Sequence, residues 1–344
     1  MLSFRHYVGE TVEWGVGLVK KAVLGAGLVM LAFLLYKLDA RETAGLALQV
    51  RWMFAVILVQ EIGAHAFNAW GWRLAFRPAD ARRFRFRDLL AYRIMGDGVN
   101  YLTPSATIAG EFARANLLGD GVSLPVRVNG VVAAKVTQGA AQVAFIALGL
   151  GWGLGGLVPS VEPWARAARW FCAAASLGAG LLWVTARSRR VRELSELGRG
   201  IPGWRGWVSR MPADLLALWA EHPARVLASV AAFGAGYAWN TGETWLIARS
   251  LGVPVDWATA LRIEVLSNVV DALLFMVPAK AGTQEAGKTL VFGVLGLSPR
   301  AGLAFGLVRH ARELLWAAAG LAAYGAGRRE AKPADVREPQ TTAT

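Results

Sequence analysis

Eight ionisable residues stand in stretches that are otherwise apolar: Glu61, His65, Lys135, Glu243, Arg309, His310, Arg312 and Glu313. A charge at a lipid-facing helix centre costs at least about 2.5 kcal/mol, so each should turn toward a protein interior. Lys135 and Gln138 share a helix face with Gln142, and Arg309, Arg312 and Glu313 share one in the same way. Clustered cations in such a setting suit an anionic head group, because a guanidinium donates paired hydrogen bonds to phosphate or carboxylate. Internal ion pairing is the competing use, with Arg309 to Glu313 at i,i+4 and Glu111 to Arg114 at i,i+3. The head-group use is favoured for Lys135, Arg309 and Arg312. For Glu111 and Glu285 the two uses weigh equally, and His65 and His310 read as satisfied polar contacts.

The spacing of these residues repeats. DGVNYLTPSATIAGEFAR (97–114) and DALLFMVPAKAGTQEAGK (271–288) align Asp97 with Asp271, Pro104 with Pro278, Glu111 with Glu285 and Arg114 with Lys288, every difference being 174. The same offset pairs Lys135 with Arg309 and Gln138 with Arg312, a gap-free register over more than 40 residues. After each proline a helix can restart, and its free N–H groups and positive dipole end would face an anion. Gly110 and Gly282 would permit close backbone approach there.

The elements that must carry these residues are membrane helices. Of 344 residues, 55% are hydrophobic and 18% charged, with a mean hydropathy of +0.39. An ordinary soluble domain is about a quarter charged, so a soluble enzyme, a secreted disulfide scaffold and a disordered chain are excluded. The net charge of +13 is no nucleic-acid signal, because the basic residues crowd beside apolar spans and no aromatic stacking platform accompanies them. The single cysteine, Cys172, precludes an intrachain disulfide and a cysteine metal site, and neither metal nor cofactor is expected.

Six spans are predicted, at about 17–36, 50–72, 129–153, 167–186, 226–248 and 301–325, the first retained and not cleaved as a signal peptide. Basic loops follow the second, fourth and sixth, which places both termini in the cytoplasm and leaves 326–344 as a disordered tail. Residues 88–128 and 255–300 hold apolar pieces too short to cross, broken by Gly, Pro and charge. Re-entrant helical hairpins at 97–118 and 271–292 fit them, since irregular backbone at membrane depth must be buried in protein or line a wet cavity. Residues 82–94 alone read as an amphipathic surface helix. The expected fold is an all-α polytopic membrane protein with two re-entrant hairpins, built as an inverted-topology internal repeat of residues 1–155 and 160–325. Such repeats with broken helices are a transporter architecture, with the site at their interface.

Ala109-Gly110-Glu111 followed by Arg114 resembles the Gly-Gly-Glu-x-x-Arg element of the lysylphosphatidylglycerol-synthase transmembrane-domain family, also called flippase-like. Pro278 through Glu285 resembles that family's Pro-Gly-x-x-Gly-x-x-Glu element, and residues 282–321 look most like its hopanoid-biosynthesis-associated branch. Ala109, Ala279 and Lys280 depart from the pattern, standing where the family usually has Gly. The resemblance implies a lipid translocator of the bacterial inner membrane with a hopanoid, phospholipid or glycolipid as its partner, together with proteins of lipid biosynthesis or export. Expected head-group contacts are Glu111, Arg114, Lys135 and Gln138, with their counterparts Glu285, Lys288, Arg309 and Arg312. Asp97, Pro104, Gly110, Asp271, Pro278 and Gly282 are the expected hairpin-shaping residues. An intramembrane enzyme using Glu111 and Glu285 as acid and base is a rival, but no nucleophile motif or nucleotide loop accompanies them. A scaffold for a biosynthetic complex is another, and would leave the matched charges without a role.

Overall fold

A computed structural model describes residues 29–102, 108–154, 162–186, 203–274 and 282–330, with Val277 and Lys280. All regular structure among them is helical. The first half holds α1 (Ala40–Leu48), α2 (Met53–Ala75), α3 (Pro78–Ala81), α4 (Phe86–Leu102), α5 (Ile108–Leu117) and α6 (Leu124–Leu148), which runs on into a π-helical turn, Gly149–Leu154. The second holds α7 (Glu162–Ala186), α8 (Gly203–Glu221), α9 (Pro223–Ser250), α10 (Trp257–Leu273), α11 (Thr283–Val294) and α12 (Pro299–Glu330).

Local chemistry sets the boundaries. Pro78, Pro223 and Pro299 open their helices, where a missing N–H costs nothing. Asp39 caps α1 by accepting from the Arg41 and Glu42 amides, and Asp256 caps α10 by accepting from the Thr259 amide at 2.7 Å. The expected spans at 50–72, 129–153, 167–186, 226–248 and 301–325 fall on α2, α6, α7, α9 and α12. Among the described residues, Leu124–Gly153 is long and apolar enough to cross a membrane alone, and α1 with α2 qualifies as a pair bent by 71°. Most of the expected first span, Pro104, Pro278, the stretch 187–202 and the tail beyond 330 lie outside the described residues.

Packing centres on α2 and α9, which cross closely enough that a Cβ at Gly71 would lie 2.7 Å from the Phe233 ring. Along each of these helices the buried residues change character twice. Ile57 and Ile247 belong to one apolar cluster with Ile263, Phe292 and Phe305. Trp72 and Phe233 belong to a second, with Phe76, Leu89 and Val131. Between the two clusters lie Glu61, His65 and Asn68 on α2, and Tyr237, Asn240 and Glu243 on α9. The outward faces are apolar instead: Val59 is 64% exposed, and Trp170 and Leu177 on α7 are each 76% exposed. A polar centre inside an apolar exterior inverts the soluble arrangement and suits hydrocarbon as solvent. Trp52, Trp70, Trp152, Trp164 and Trp257 are exposed near helix ends, where an amphipathic ring meets the head-group layer.

The broken stretches are helix pairs, α4 with α5 and α10 with α11. The stretch 82–94, expected as an amphipathic surface helix, exposes Arg82, Arg83, Arg85 and Arg87, but its helix begins at Phe86 and buries its inner face. Leu89 is fully buried in the cluster of Trp72, Phe76 and Val131, Arg93 is 7% exposed, and further along α4 packs against α12 through glycine contacts that bring the two backbones together. A Cβ at Gly98 would lie 2.7 Å from the Ala317 carbonyl oxygen, and one at Gly320 would collide with the Ile94 carbonyl oxygen. Arg93 continues the same polar pattern in sequence, and only the neighbouring helices reveal that it faces the cavity.

Candidate functional site

The polar layer lines a partly open cavity of about 690 Å³. Each contributing helix presents one face to it at helical spacing: Arg93, Asp97 and Tyr101 from α4, Lys135, Gln138 and Gln142 from α6, and Arg309, Arg312, Glu313 and Trp316 from α12. Glu61, His65 and Asn68 from α2, with Tyr237 and Asn240 from α9, form the wall between them. Glu264, Asn268 and Asp271 enter from α10.

Five of the eight expected head-group residues line this space: Glu111, Lys135, Gln138, Arg309 and Arg312. Arg114, Glu285 and Lys288 lie behind it. Arg114 is 2% exposed and clamps the α4–α5 pair, donating to Asp97 at 2.5 Å and to Glu111 at 2.6 Å. Lys288 is fully buried, with its ammonium 3.4 Å from Asp271, the same two positions displaced by 174. Glu285, also fully buried, meets His310 Nδ1 at 2.5 Å. Arg114 and Lys288 each tie together the two helices of a broken pair, and Glu285 ties α11 to α12. The hairpin carboxylates Asp97 and Asp271 reach the cavity as well as their cations.

Gly110 and Gly282 act as backbone residues. The Gly110 amide donates to Asn100 Oδ1 at 2.7 Å, and a Cβ there would collide with the Gly96 carbonyl oxygen. Gly282 sits at φ +73°, a left-handed conformation that lets α11 restart with Glu285 in its first turn. Glu111 holds the same place on α5. Each restarted helix thus carries its own carboxylate near the positive dipole end.

The arginines of α12 have different partners from those expected. Arg309 does not reach Glu313 at i+4; it forms a two-pronged bond with Glu264, at 2.8 and 3.0 Å. Glu264 also accepts from the Thr244 hydroxyl at 2.7 Å and the Asn268 amide at 3.1 Å. Arg312 contacts Glu61 and lies 3.0 Å from Glu243, and Glu313 faces the Lys280 ammonium at 3.4 Å. Tertiary carboxylates in better geometry outcompete the local one. Both guanidiniums line the cavity but are held there by carboxylates, their side chains being only 6% and 4% exposed.

Among the described cations of the cavity, two lysines keep more exposed side chains than the arginines. The Lys135 side chain is 46% exposed with Glu111 at 3.5 Å, and that of Lys280 is 37% exposed. The cavity is therefore polarised. Around Lys135 stand three cations (Arg93, Arg114, Lys135) against two carboxylates (Asp97, Glu111). Across it, four cations (Lys280, Lys288, Arg309, Arg312) and His310 face six carboxylates (Glu61, Glu243, Glu264, Asp271, Glu285, Glu313).

Sequence reasoning missed Arg93 and Glu264. Arg93 stands four residues before Asp97, whose carboxylate it meets at 3.0 Å, and that i,i+4 spacing was a usable signal. Glu264 is a lone acid in an apolar run, as Glu61 is. Among the described residues no group of His, Cys, Asp and Glu is arranged to hold a metal ion.

No curated protein and no solved structure matches the chain. Residues 14–320 match the family model described as the lysylphosphatidylglycerol synthase TM region, and the chain, an all-helical membrane protein, belongs to that family.

Proposed function

We propose that the protein is a lipid translocator of the bacterial inner membrane, passing the head group of a hopanoid or another polar or anionic lipid through the central cavity. The observation that carries this reading is the cavity itself: about 690 Å³, polar and polarised, at mid-height of the two central helices of a membrane-family chain. That volume is within the range of about 300–1,000 Å³ usual for small-ligand sites. Lys135 offers an exposed ammonium at the end with excess positive charge, where an anionic group would sit. The amides of Asn68, Gln138, Gln142 and Asn240 give hydroxyl or glycosidic oxygens both donors and acceptors. Arg309 and Arg312 form the opposite wall, held by carboxylates.

We further propose that the two halves are inverted repeats whose interface is the cavity, with six crossings and both termini in the cytoplasm. Displaced by 174 residues, α2 falls within α9, α6 falls almost wholly on α12, and α4 and α5 overlap α10 and α11. The pairs Asp97–Arg114 and Asp271–Lys288 correspond under the same displacement. Repeats of this kind open their interface alternately to the two sides.

The enzyme alternative has one observation in its favour, the close Glu285–His310 pair. Neither residue lines the cavity, so the pair does not reach a bound head group. The reading is tested by reconstituting the purified protein in vesicles with labelled lipids, after mass spectrometry of the lipids that copurify. Lipid should change leaflet with unchanged mass. A change in lipid mass, or no movement for any copurifying lipid, overturns it.

A further inference from the structure

Glu243 is the buried carboxyl that this translocation scheme leaves unused. It is fully buried on α9, behind the cavity wall and not part of it. The charged groups facing it come from three helices: Glu61 of α2, Glu264 of α10, and Arg309 and Arg312 of α12. At its other end α9 meets α6 through the uncharged pair Ser229 and Thr137. Three carboxylates therefore compete for two guanidiniums.

The competition is unequal. Glu264 accepts four hydrogen bonds, two of them from Arg309, which fixes it as an anion. Glu61 touches Arg312 through an oxygen that is buried without a directed hydrogen bond, but its side chain lines the cavity and is 13% exposed. Glu243 lies 3.0 Å from Arg312 Nε and 3.5 Å from Arg309 Nη2, yet neither of its oxygens receives a directed hydrogen bond. A buried anion is costly unless it is paired and hydrogen-bonded. The less hydrogen-bonded it is, the more readily it takes a proton when the charge around it turns more negative. Glu243, fully buried with neither oxygen hydrogen-bonded, is the carboxyl of the three most open to that change.

The polarised cavity connects that proton to the ligand. Excess positive charge around Lys135 partly offsets the excess negative charge around Glu243. An anionic head group settling at Lys135 removes the offset and leaves the Glu243 side more negative. We propose that Glu243 is a proton-binding site that takes up a proton as an anionic lipid head enters the cavity, so that head group and proton cross together. The effect is reciprocal: a proton on Glu243 tightens binding of the anion. The ligand half rests on the head-group reading above; the proton half does not.

The test uses the full chain in nanodiscs of phosphatidylcholine, in weakly buffered solution with a pH-indicating dye. Short-chain phosphatidylglycerol is the anionic probe, and its binding is followed separately by fluorescence. Wild type should take up about one proton per bound phosphatidylglycerol, and Glu243→Gln should bind with little or no uptake. Equal uptake by both, or binding by wild type without uptake, overturns the proposal. Acid titration without probe, from about pH 9 to about pH 5, judges the proton site alone: wild type should absorb about one proton more than Glu243→Gln. If phosphatidylglycerol fails to bind while this difference persists, the head-group reading fails and the proton site stands; if the difference is absent, the proton site fails. Should Glu243→Gln not fold, Glu61→Gln serves in its place. Removing that competitor lets Glu243 ionise, so its proton should come off at least about one pH unit lower, and an unchanged titration overturns the proposal.

Discussion

Arg309 carries the clearest prediction at the scale of single residues. Its guanidinium is held by both oxygens of Glu264 in a buried site. Arg309→Leu should therefore destabilise the fold by about 3–5 kcal/mol, because it abandons that carboxylate. Arg309→Leu with Glu264→Leu should recover most of the loss, whereas Arg309→Leu with Glu313→Leu should not; thermal unfolding in detergent distinguishes them. Lys135 makes the opposite case, with an exposed ammonium and one long contact to Glu111. Lys135→Met should unfold at the wild-type temperature but move an anionic lipid about tenfold more slowly, equivalent to ~1.4 kcal/mol of barrier. Lys135→Arg should keep most of the rate, since the requirement there is a charge facing the cavity. Loss of stability in Lys135→Met would reassign it to the wall.

Among the elements, the α4–α12 contact joins two walls of the cavity, one carrying Arg93 and Asp97 and the other Arg312 and Glu313. Small residues allow it: Gly98 lies against the α12 backbone at Ala317, and Gly320 against α4 at Ile94. Gly98→Val would force these helices apart, an overpacking that typically costs about 1–3 kcal/mol. It should lower stability and slow translocation together. Gly139→Val, on the exposed side of α6 with no atom near its Cβ position, should do neither. Equal effects from the two substitutions would mean that the close approach is not what holds the cavity wall.

For the whole molecule, the proposed orientation puts the basic stretch after α2 in the cytoplasm and the α9–α10 connection outside. Arg83 and Pro254 are exposed positions in these two places. In a background with Cys172→Ala, a cysteine at Pro254 should react with an impermeant maleimide on intact cells, and one at Arg83 only after permeabilisation. The reverse pattern would turn the molecule over, and labelling of both on intact cells would remove the six-crossing arrangement.

The sequence by itself determined that the chain is helical and membrane-embedded, that its ionisable residues turn inward, and which helices carry them. These properties depend on composition and on periods of a few residues, which any stretch of chain expresses locally. The offset of 174 also lies in the sequence, since it needs only residue identities. Partner choice does not. Arg309 has Glu313 one turn away and takes Glu264 instead, 45 residues distant, because a two-pronged bond beside Thr244 and Asn268 satisfies the guanidinium better. Tertiary packing likewise left Lys135 at the cavity while sealing Lys288 behind it. Whether a buried charge serves a ligand or a neighbouring helix depends on which groups three-dimensional packing brings within hydrogen-bond distance. Helical period limits each residue to a face; only the neighbouring helices decide what that face meets.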